Sequence, residues 1–338
     1  MISPSMSNKV AAIFMVLLWH SRYRGTVSPV RRGVKSDASS IAQRVAAQLA
    51  RDASVEPLVS KNFSRQDFER ALAHSRSPVW VDDSHGRLRG HLYGATLDDA
   101  MSGRQTWTGP DGYSYEFENV LDNLCEWAYR TWRDDGSIAH LVWALAGNGT
   151  QDWIERGYAL VSVRGSLALE GPLGHSWPEG HLLRRGDPSD LGTALAFDAL
   201  IDEAQGVRLD ALSAFQREQN ESDLAELLGD PDSHYHLVEV DGRPAAQCVT
   251  FPLPPLRGSH DDTIYLGSLA VDPSQRRRGL ASTLVRAVLD DAVADGFRFA
   301  EVRWHIDNEG ATSFWSALGF RPTYVQLRRS LVPEVATT

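Results

Sequence analysis

The stretch Gln275-Arg276-Arg277-Arg278-Gly279-Leu280-Ala281-Ser282 follows an apolar run that ends at Val271 and opens a segment of helical spacing. Its chemistry is the capture of a phosphate-rich anion. The first backbone N–H groups of a helix have no intrahelical partner, and the helix dipole adds partial positive charge there. Gly279 lets the backbone approach a phosphate without a Cβ in the way, and Ala281 keeps the first turn thin. Arg276, Arg277 and Arg278 add full charge in a chain whose formal net charge is −10. An exposed basic turn would account for the arginines alone. The order strand, Asp272-Pro273 turn, Arg-x-x-Gly-x-Ala and amphipathic helix favours an anion site.

The elements around this turn can be read from periodicity. Residues 263–271 have strand character. Leu280, Leu284, Val285, Val288, Leu289 and Ala292 form a helical stripe that Gly296 ends. Upstream come a short strand at 181–185, a turn at Gly186-Asp187-Pro188, helices near 190–205 and 209–228, and strands at 235–240 and 244–251 joined by the hairpin signal Asp241-Gly242. Downstream come a strand at 299–306, a helix at 309–318 closed by Gly319, and a final strand from Phe320 to Leu331. The predicted order is β, α, α, β, β, β, α, β, α, β.

The sequence also repeats itself. PVRRGVKSD at 29–37 matches LLRRGDPSD at 182–190, and 138–158 matches 300–320 when Trp153 is set on Trp315 and Gly157 on Gly319. Similar offsets at opposite ends imply two copies of a unit of roughly 150 residues. The expected organisation is an N-terminal extension at 1–26, a first α/β unit at 27–172 and a second at 180–334. A chain of 338 residues is long for one core, and 42% apolar with 23% charged residues is globular. The acidic balance argues against nucleic acid as a partner. The apolar run at 10–19 is too short to span a membrane as a helix and is read as an extension packed on the fold. The two cysteines, Cys125 and Cys248, cannot build a disulfide framework and suggest no metal site, so the chain is read as cytoplasmic, a monomer or homodimer without membrane contact.

The segment Leu269 to Ser282 resembles the pyrophosphate loop of the GCN5-related N-acetyltransferases (GNATs), whose signature is Gln/Arg-x-x-Gly-x-Gly/Ala. A second stretch, Asn308-Glu309-Gly310-Ala311-Thr312-Ser313-Phe314-Trp315-Ser316-Ala317-Leu318-Gly319-Phe320, is similar to that family's Asn-x-x-Ala-x-x-Phe-Tyr-x-x-x-Gly-Phe. The resemblance covers 180–334, and the doubled layout is similar to that of mycothiol synthase. It implies a mixed α/β fold of two tandem GNAT-like acyl-CoA N-acyltransferase domains, with acetyl-CoA or another short acyl-CoA as cofactor. The backbone of Leu269, Ala270 and Val271 would pair with the pantetheine arm. The loop from Arg276 through Arg277, Arg278, Gly279, Leu280 and Ala281 to Ser282 would hold the pyrophosphate. Asn308, Ala311 and Trp315 would lie near the pantetheine or thioester.

In the first unit, setting Gly136 on Gly296 places Glu116, Glu118 and Asn119 at the positions of Arg276, Arg278 and Gly279. Carboxylates would then face a diphosphate, so this copy is expected not to bind CoA and to be structural or to wall the acceptor site.

Acyl transfer to an amine requires a base for the ammonium, polarisation of the carbonyl and a leaving thiolate. The family's glutamate base falls on Tyr265 here, and its tyrosine acid on Trp315. Tyr265 could line the acceptor site or relay a proton. Glu239, His234, His236, His260 and Asp261 could serve through water, and Tyr324 could replace the acid. Trp107 and Trp177 could line an aromatic acceptor pocket, and the proline-rich 252–262 could shape substrate entry. The expected activity is N-acetylation of a small-molecule amine, a metabolite or amino-acid-like acceptor. The alternatives are a non-catalytic acyl-CoA sensor and an aminoacyl-tRNA-dependent transferase, against which the intact loop and the acidic charge both speak.

Overall fold

Arg31 and Arg184, set on one another by the sequence repeat, make the same clamp. Each guanidinium holds its own downstream aspartate with two hydrogen bonds, Arg31 to Asp37 at 2.7 and 2.9 Å and Arg184 to Asp190 at 2.7 and 2.8 Å. Each then reaches one further carboxylate, Asp83 or Glu239. The repeat is therefore structural. At the other end, Tyr158 N–H donates to the Trp153 carbonyl and Phe320 N–H to the Trp315 carbonyl, with Gly157 and Gly319 both at positive φ.

The computed structural model describes residues 29–74, 77–99, 102–204, 213–253 and 257–332. The expected extension at 1–26 lies outside the described residues. The first repeat runs β1 (Val30–Arg32), α1 (Ala38–Val55), α2 (Arg65–His74), β2 (Trp80–Asp82), β3 (Gly90–Leu92), β4 (Ala95–Asp99), β5 (Gly103–Thr108), β6 (Tyr113–Tyr115), α3 (Glu118–Asp134), β7 (Ala139–Leu145), α4 (Gln151–Glu155) and β8 (Ala159–Ala168). The second runs β9 (His181–Arg185), α5 (Leu191–Ala204), α6 (Ala214–Gly229), β10 (His234–Val240), β11 (Arg243–Pro252), β12 (Thr263–Val271), α7 (Leu280–Ala294), β13 (Phe299–His305), α8 (Glu309–Ala317) and β14 (Arg321–Ser330). The element order read from the second repeat is the order observed. The Asp241-Gly242 hairpin forms with φ of 52° and 72°, the left-handed pair that such a two-residue turn requires.

Among the described residues, one sheet has the order β1-β2-β3-β6 and a second, through both repeats, has β4-β5-β7-β14-β8-β13-β12-β11-β10-β9. The repeats exchange their last strands. β8 of the first lies antiparallel on β13 of the second, and β14 of the second lies antiparallel on β7 of the first. The two exchanges share one register: Ser162 faces His305 as Tyr324 faces Leu145, and Ala168 faces Phe299 as Ser330 faces Ala139. β8 and β14 also pair with each other.

An apolar core shared by both repeats follows from this exchange. The stripe of α7 buries Leu280, Leu284, Val285, Val288, Leu289 and Ala292. These belong to the same packed cluster as Val120, Leu124, Trp132 and Trp153 of the first repeat. Each fully buried Leu or Val contributes about 1.5–3 kcal/mol relative to exposure. On the opposite face α5 and α6 pack through Ala194, Phe197 and Leu228 onto Tyr235, Leu237, Val249 and Ala270, and α1 and α2 pack through Ile41, Leu49 and Phe68 onto Val81. Cys125 and Cys248 are buried free thiols. Among the described residues no helix is long and apolar enough to cross a membrane, and no cluster of His, Cys, Asp and Glu is arranged to hold a metal.

Candidate active site

β12 and β13 run parallel and in register from Thr263 opposite Phe299 to Leu266 opposite Val302, and there the pairing ends. β12 continues toward the helix start at Gly279, and β13 toward Asn308. A cleft of about 750 Å³ occupies the fork. Its walls are Tyr265 to Leu269 and Val271 of β12, Arg276 and Ala281 of the loop, and Val302 to His305 of β13. Asp307, Asn308, Gly310, Ala311, Phe314 and Trp315 close one side, and Ile201 and Ala204 of α5 the other.

At the apex the register of β12 against β11 steps over Gly267: Val249 faces Ser268 and Thr250 faces Leu266. A bulged residue is left out of the ladder, so its amide is available to a ligand. A Cβ on Gly267 would come within 2.8 Å of the Phe251 ring, which is why glycine stands there.

At the other end α7 starts on Gly279, which has φ 81° and ψ −3°, with no side chain capping the helix. The glycine is required first by its left-handed backbone. A Cβ there would meet nothing within 4 Å, so the position also faces open space. Arg277 adopts φ 62°, a conformation that costs a non-glycine residue on the order of 1 kcal/mol. Strain of this kind persists where the surroundings impose it, often at ligand loops. The Asp272 side chain accepts from Ser274 N–H and shapes the turn before the arginines, whose side chains are exposed.

The predicted cofactor residues separate by strand alternation. Leu269, Val271, Arg276, Ala281, Asn308, Ala311 and Trp315 line the cleft, as does Tyr265. Ala270 points to the opposite face, into the cluster with Phe197 and Tyr235, so only its backbone can serve a ligand. The Leu280 side chain is likewise in the core. Arg278 donates to Gln275 Oε1 at 3.3 Å and borders a smaller pocket with Trp177 and His181. Arg277 and Ser282 flank the helix start. Asn308 caps α8 by accepting from Ala311 N–H at 2.9 Å, which leaves its Nδ2 amide to offer a ligand. Trp315 is buried and packs edge-on against Phe314 and Phe320.

The predicted catalytic residues fare differently. Tyr265 packs against Phe251 at 5.2 Å, and burial pushes its phenol above the ordinary value, so it is a hydrogen-bond donor at neutral pH and not a base. Glu239 does not line the cleft: it belongs to the Arg184 clamp, with its Oε1 2.8 Å from Arg184 Nε. Tyr324 does not line it either. The strand exchange interposes β8 between β13 and β14, which carries Tyr324 away from the fork. There Arg164 lies 4.3 Å over its ring, and burial holds its phenol well above 10. His236 is buried on Thr250 with its imidazole pushed down to about 3, and His260 stacks on Phe299 at 3.7 Å; neither lines the cleft.

Residues that the sequence reading passed over also enter the site. Arg303, His305 and Asp307 all line it. Arg303 and His305 alternate on one strand that leads directly into Asn308, a signal available in the sequence. Although His305 is exposed, partial desolvation and the charge of Arg303 lower its imidazole below its ordinary value, so it is neutral at neutral pH and able to accept a proton.

The first repeat lacks this geometry. Its strand-to-helix turn is residues 116–117, where the second repeat has 272–279. Glu116 is not a free carboxylate facing a ligand: Arg44, Arg87 and Arg89 hold it at 3.2, 2.7 and 3.6 Å. Across the corresponding fork the Tyr115 hydroxyl bonds Asp152, and Tyr113 packs edge-on against Trp153 at 5.1 Å, so aromatic rings take up that space.

Residues 199–320, which include the fork, the Gly279 loop and the whole of both motifs, match the acetyltransferase (GNAT) family. The fold is a tandem GNAT fold. A GNAT protein from Sphaerobacter thermophilus superposes with a TM-score of 0.60 at 20% identity, covering 90% of this chain and 96% of that one. A tandem GNAT protein of the clavulanic acid biosynthesis pathway superposes with a TM-score of 0.56 at 16% identity, covering 90% and 98%. In sequence, 85 residues are 31% identical to L-2,4-diaminobutyric acid acetyltransferase of Nocardia farcinica, 25% of this chain and 42% of that relative. This chain thus spans less than half the length of that enzyme, and the GNAT likeness in sequence is concentrated in the second repeat.

Proposed function

We propose that the protein is an acetyl-CoA-dependent N-acetyltransferase acting on the amine of a small, amino-acid-like molecule. One coincidence carries the reading: the uncapped helix start at Gly279 and the bulge at Gly267 lie at the two ends of one open cleft. The amides of Leu280, Ala281 and Ser282, with Arg276 to Arg278, hold the diphosphate. The edge of β12 left free beyond Leu266 pairs with the pantetheine arm. The bulged Gly267 amide polarises the thioester carbonyl. His305, neutral at neutral pH, takes the ammonium proton directly or through water. A thiol of pKa about 8.5 leaves as thiolate without a dedicated acid, which suits Trp315 in place of tyrosine.

The first repeat, its fork filled by Tyr113 and Tyr115, does not bind CoA in this reading and walls the acceptor side. Two reduced buried thiols suit a cytoplasmic enzyme. An amino-acid amine is the acceptor class named for the Nocardia relative, and that supports the class proposed here. The absence of a carboxylate base at Tyr265 favours one competing reading, a non-catalytic acyl-CoA sensor.

Calorimetric titration of acetyl-CoA into the wild type and Gly279→Glu tests the loop. The variant is expected to bind at least about tenfold more weakly, and equal affinity refutes the site. Thiol release from acetyl-CoA with a panel of amines separates enzyme from sensor.

A further inference from the structure

Arg303 stands where β12 and β13 part, and most of its guanidinium is withdrawn from water, which lowers its pKa. Its Nε donates to Ser162 Oγ at 2.9 Å and its Nη2 to Gln326 Oε1 at 2.7 Å, both neutral acceptors. The rings of Trp143 and Trp107, from the first repeat, flank it at 5.5 and 5.8 Å. Among the described residues no carboxylate lies within ion-pair distance of it. Glu301, two residues back on the same strand, is taken by Ser259, Ser166 and Arg164. An arginine does not shed its proton, so a charge held this far from water calls for an anion. Nη1, which makes no hydrogen bond among the described residues, leaves part of the planar fork for a carboxylate.

That anion is not the diphosphate. From Leu266, beside Arg303, to Val271, where the loop begins, β12 advances five residues, about 17 Å at a strand rise of about 3.3 Å. The two cationic groups therefore sit at opposite ends of the cleft. Arg303 is at the acyl-transfer end with Tyr265 and His305, the end the acceptor must enter.

We propose that Arg303 is the carboxylate receptor of the acceptor subsite, so the acceptor is an amine that also bears a carboxylate, held by a guanidinium that the Trp107 and Trp143 rings of the first repeat back. This rests on the cofactor reading above and deepens it. Ser162 and Gln326, on the exchanged strands, are positioning residues: they aim the guanidinium by holding its Nε and Nη2.

The test uses pairs of probes that differ by a carboxylate alone: L-2,4-diaminobutyrate and 1,3-diaminopropane, L-lysine and cadaverine, L-tryptophan and tryptamine. The full chain is assayed by thiol release from acetyl-CoA. For at least one pair the carboxylated member is expected to have a kcat/KM about 100-fold higher. Arg303→Gln is expected to lower that preference at least about tenfold, mostly through KM, with acetyl-CoA affinity unchanged. Arg303→Lys should restore part of it. Ser162→Ala, which only loosens the guanidinium, should raise KM for the carboxylated probe and not for its partner. Equal or better turnover of the decarboxylated members overturns the proposal. So does an equal loss for both members in Arg303→Gln, or no turnover of any carboxylated probe while acetyl-CoA still binds. Failure to bind acetyl-CoA at all instead refutes the cofactor reading, and this inference falls with it.

Discussion

Arg164 on β8 and Glu301 on β13 place opposite charges 4.0 Å apart inside the sheet, one from each repeat, with 7% and 2% of their surfaces exposed. Ser166 and Ser259 satisfy the carboxylate, and Arg164 lies over the Tyr324 ring. The pair exists because the closing strands are exchanged, and it sits on the same face as Tyr265 and Arg303. Glu301→Leu leaves a buried guanidinium without its charge partner and should cost about 3–5 kcal/mol in urea unfolding. Arg164→Leu combined with Glu301→Leu should cost less than Glu301→Leu alone. A double variant as unstable as the sum of the single ones would show that the charges do not interact.

The exchange also predicts that neither repeat folds alone. A fragment ending at residue 174 keeps β8 but loses β13 and β14, on which β8 lies. A fragment beginning there loses β7 and β8. Each should be aggregated or unfolded by circular dichroism and gel filtration. The two co-expressed should assemble into one particle of native size. A monomeric, folded C-terminal fragment would contradict the shared core.

At the cofactor end, Gly279→Ala keeps the space but not the backbone, since φ is 81°. The substitution should lower stability by about 1 kcal/mol. It should lower acetyl-CoA affinity more than that, because the helix-start amides turn with the backbone. Calorimetry beside thermal melting separates the two effects, and a variant that melts lower but binds acetyl-CoA normally would clear the amides of that role.

Tyr324→Phe tests the relocation of the presumed acid. The hydroxyl lies 3.4 Å from Asp52 and outside the cleft, so kcat and its pH dependence should stay as in the wild type. His305→Gln should instead lower kcat and remove the limb of the pH profile that rises with pH, a limb expected below the ordinary imidazole pKa because partial desolvation and the Arg303 charge depress this group. A large kcat loss in Tyr324→Phe would restore that residue to the mechanism.

Acid should unfold the protein early. Burial lowers His91 to about 4 and His140 and His236 to about 3, against 6.5 when unfolded. Between those values the unfolded chain binds more protons, so stability is full above pH 6.5 and falls as pH drops through the window. Near pH 4 each imidazole withdraws on the order of 3 kcal/mol, which together approaches the whole stability of an ordinary domain. The melting temperature should therefore drop steeply from pH 6.5 to pH 4, and a flat profile would contradict the buried neutral state.

Much of the site was legible because its signals are local. The stripe from Leu280 to Ala292, the Asp241-Gly242 turn and the Gly279 loop each depend on neighbours within a few residues. Strand alternation further separates Ala270, which faces the α5–α6 side, from Leu269 and Val271, which line the cleft. Glu239 misled because a carboxylate in a clamp and a carboxylate awaiting a proton look the same in sequence. Its counterpart Asp83, bound by the repeated arginine Arg31, is the clue.

The sequence by itself determined that a strand hands over to a helix through a glycine preceded by arginines, and that the larger unit occurs twice, once without this turn. Both are questions of spacing and of backbone freedom at single positions. Only the tertiary structure decided which strand closes each unit, and hence that Tyr324 leaves the fork while Trp107 and Trp143 approach Arg303. A strand's alternating faces suit either partner equally. The choice rests on packing between segments well over a hundred residues apart, which no local pattern records.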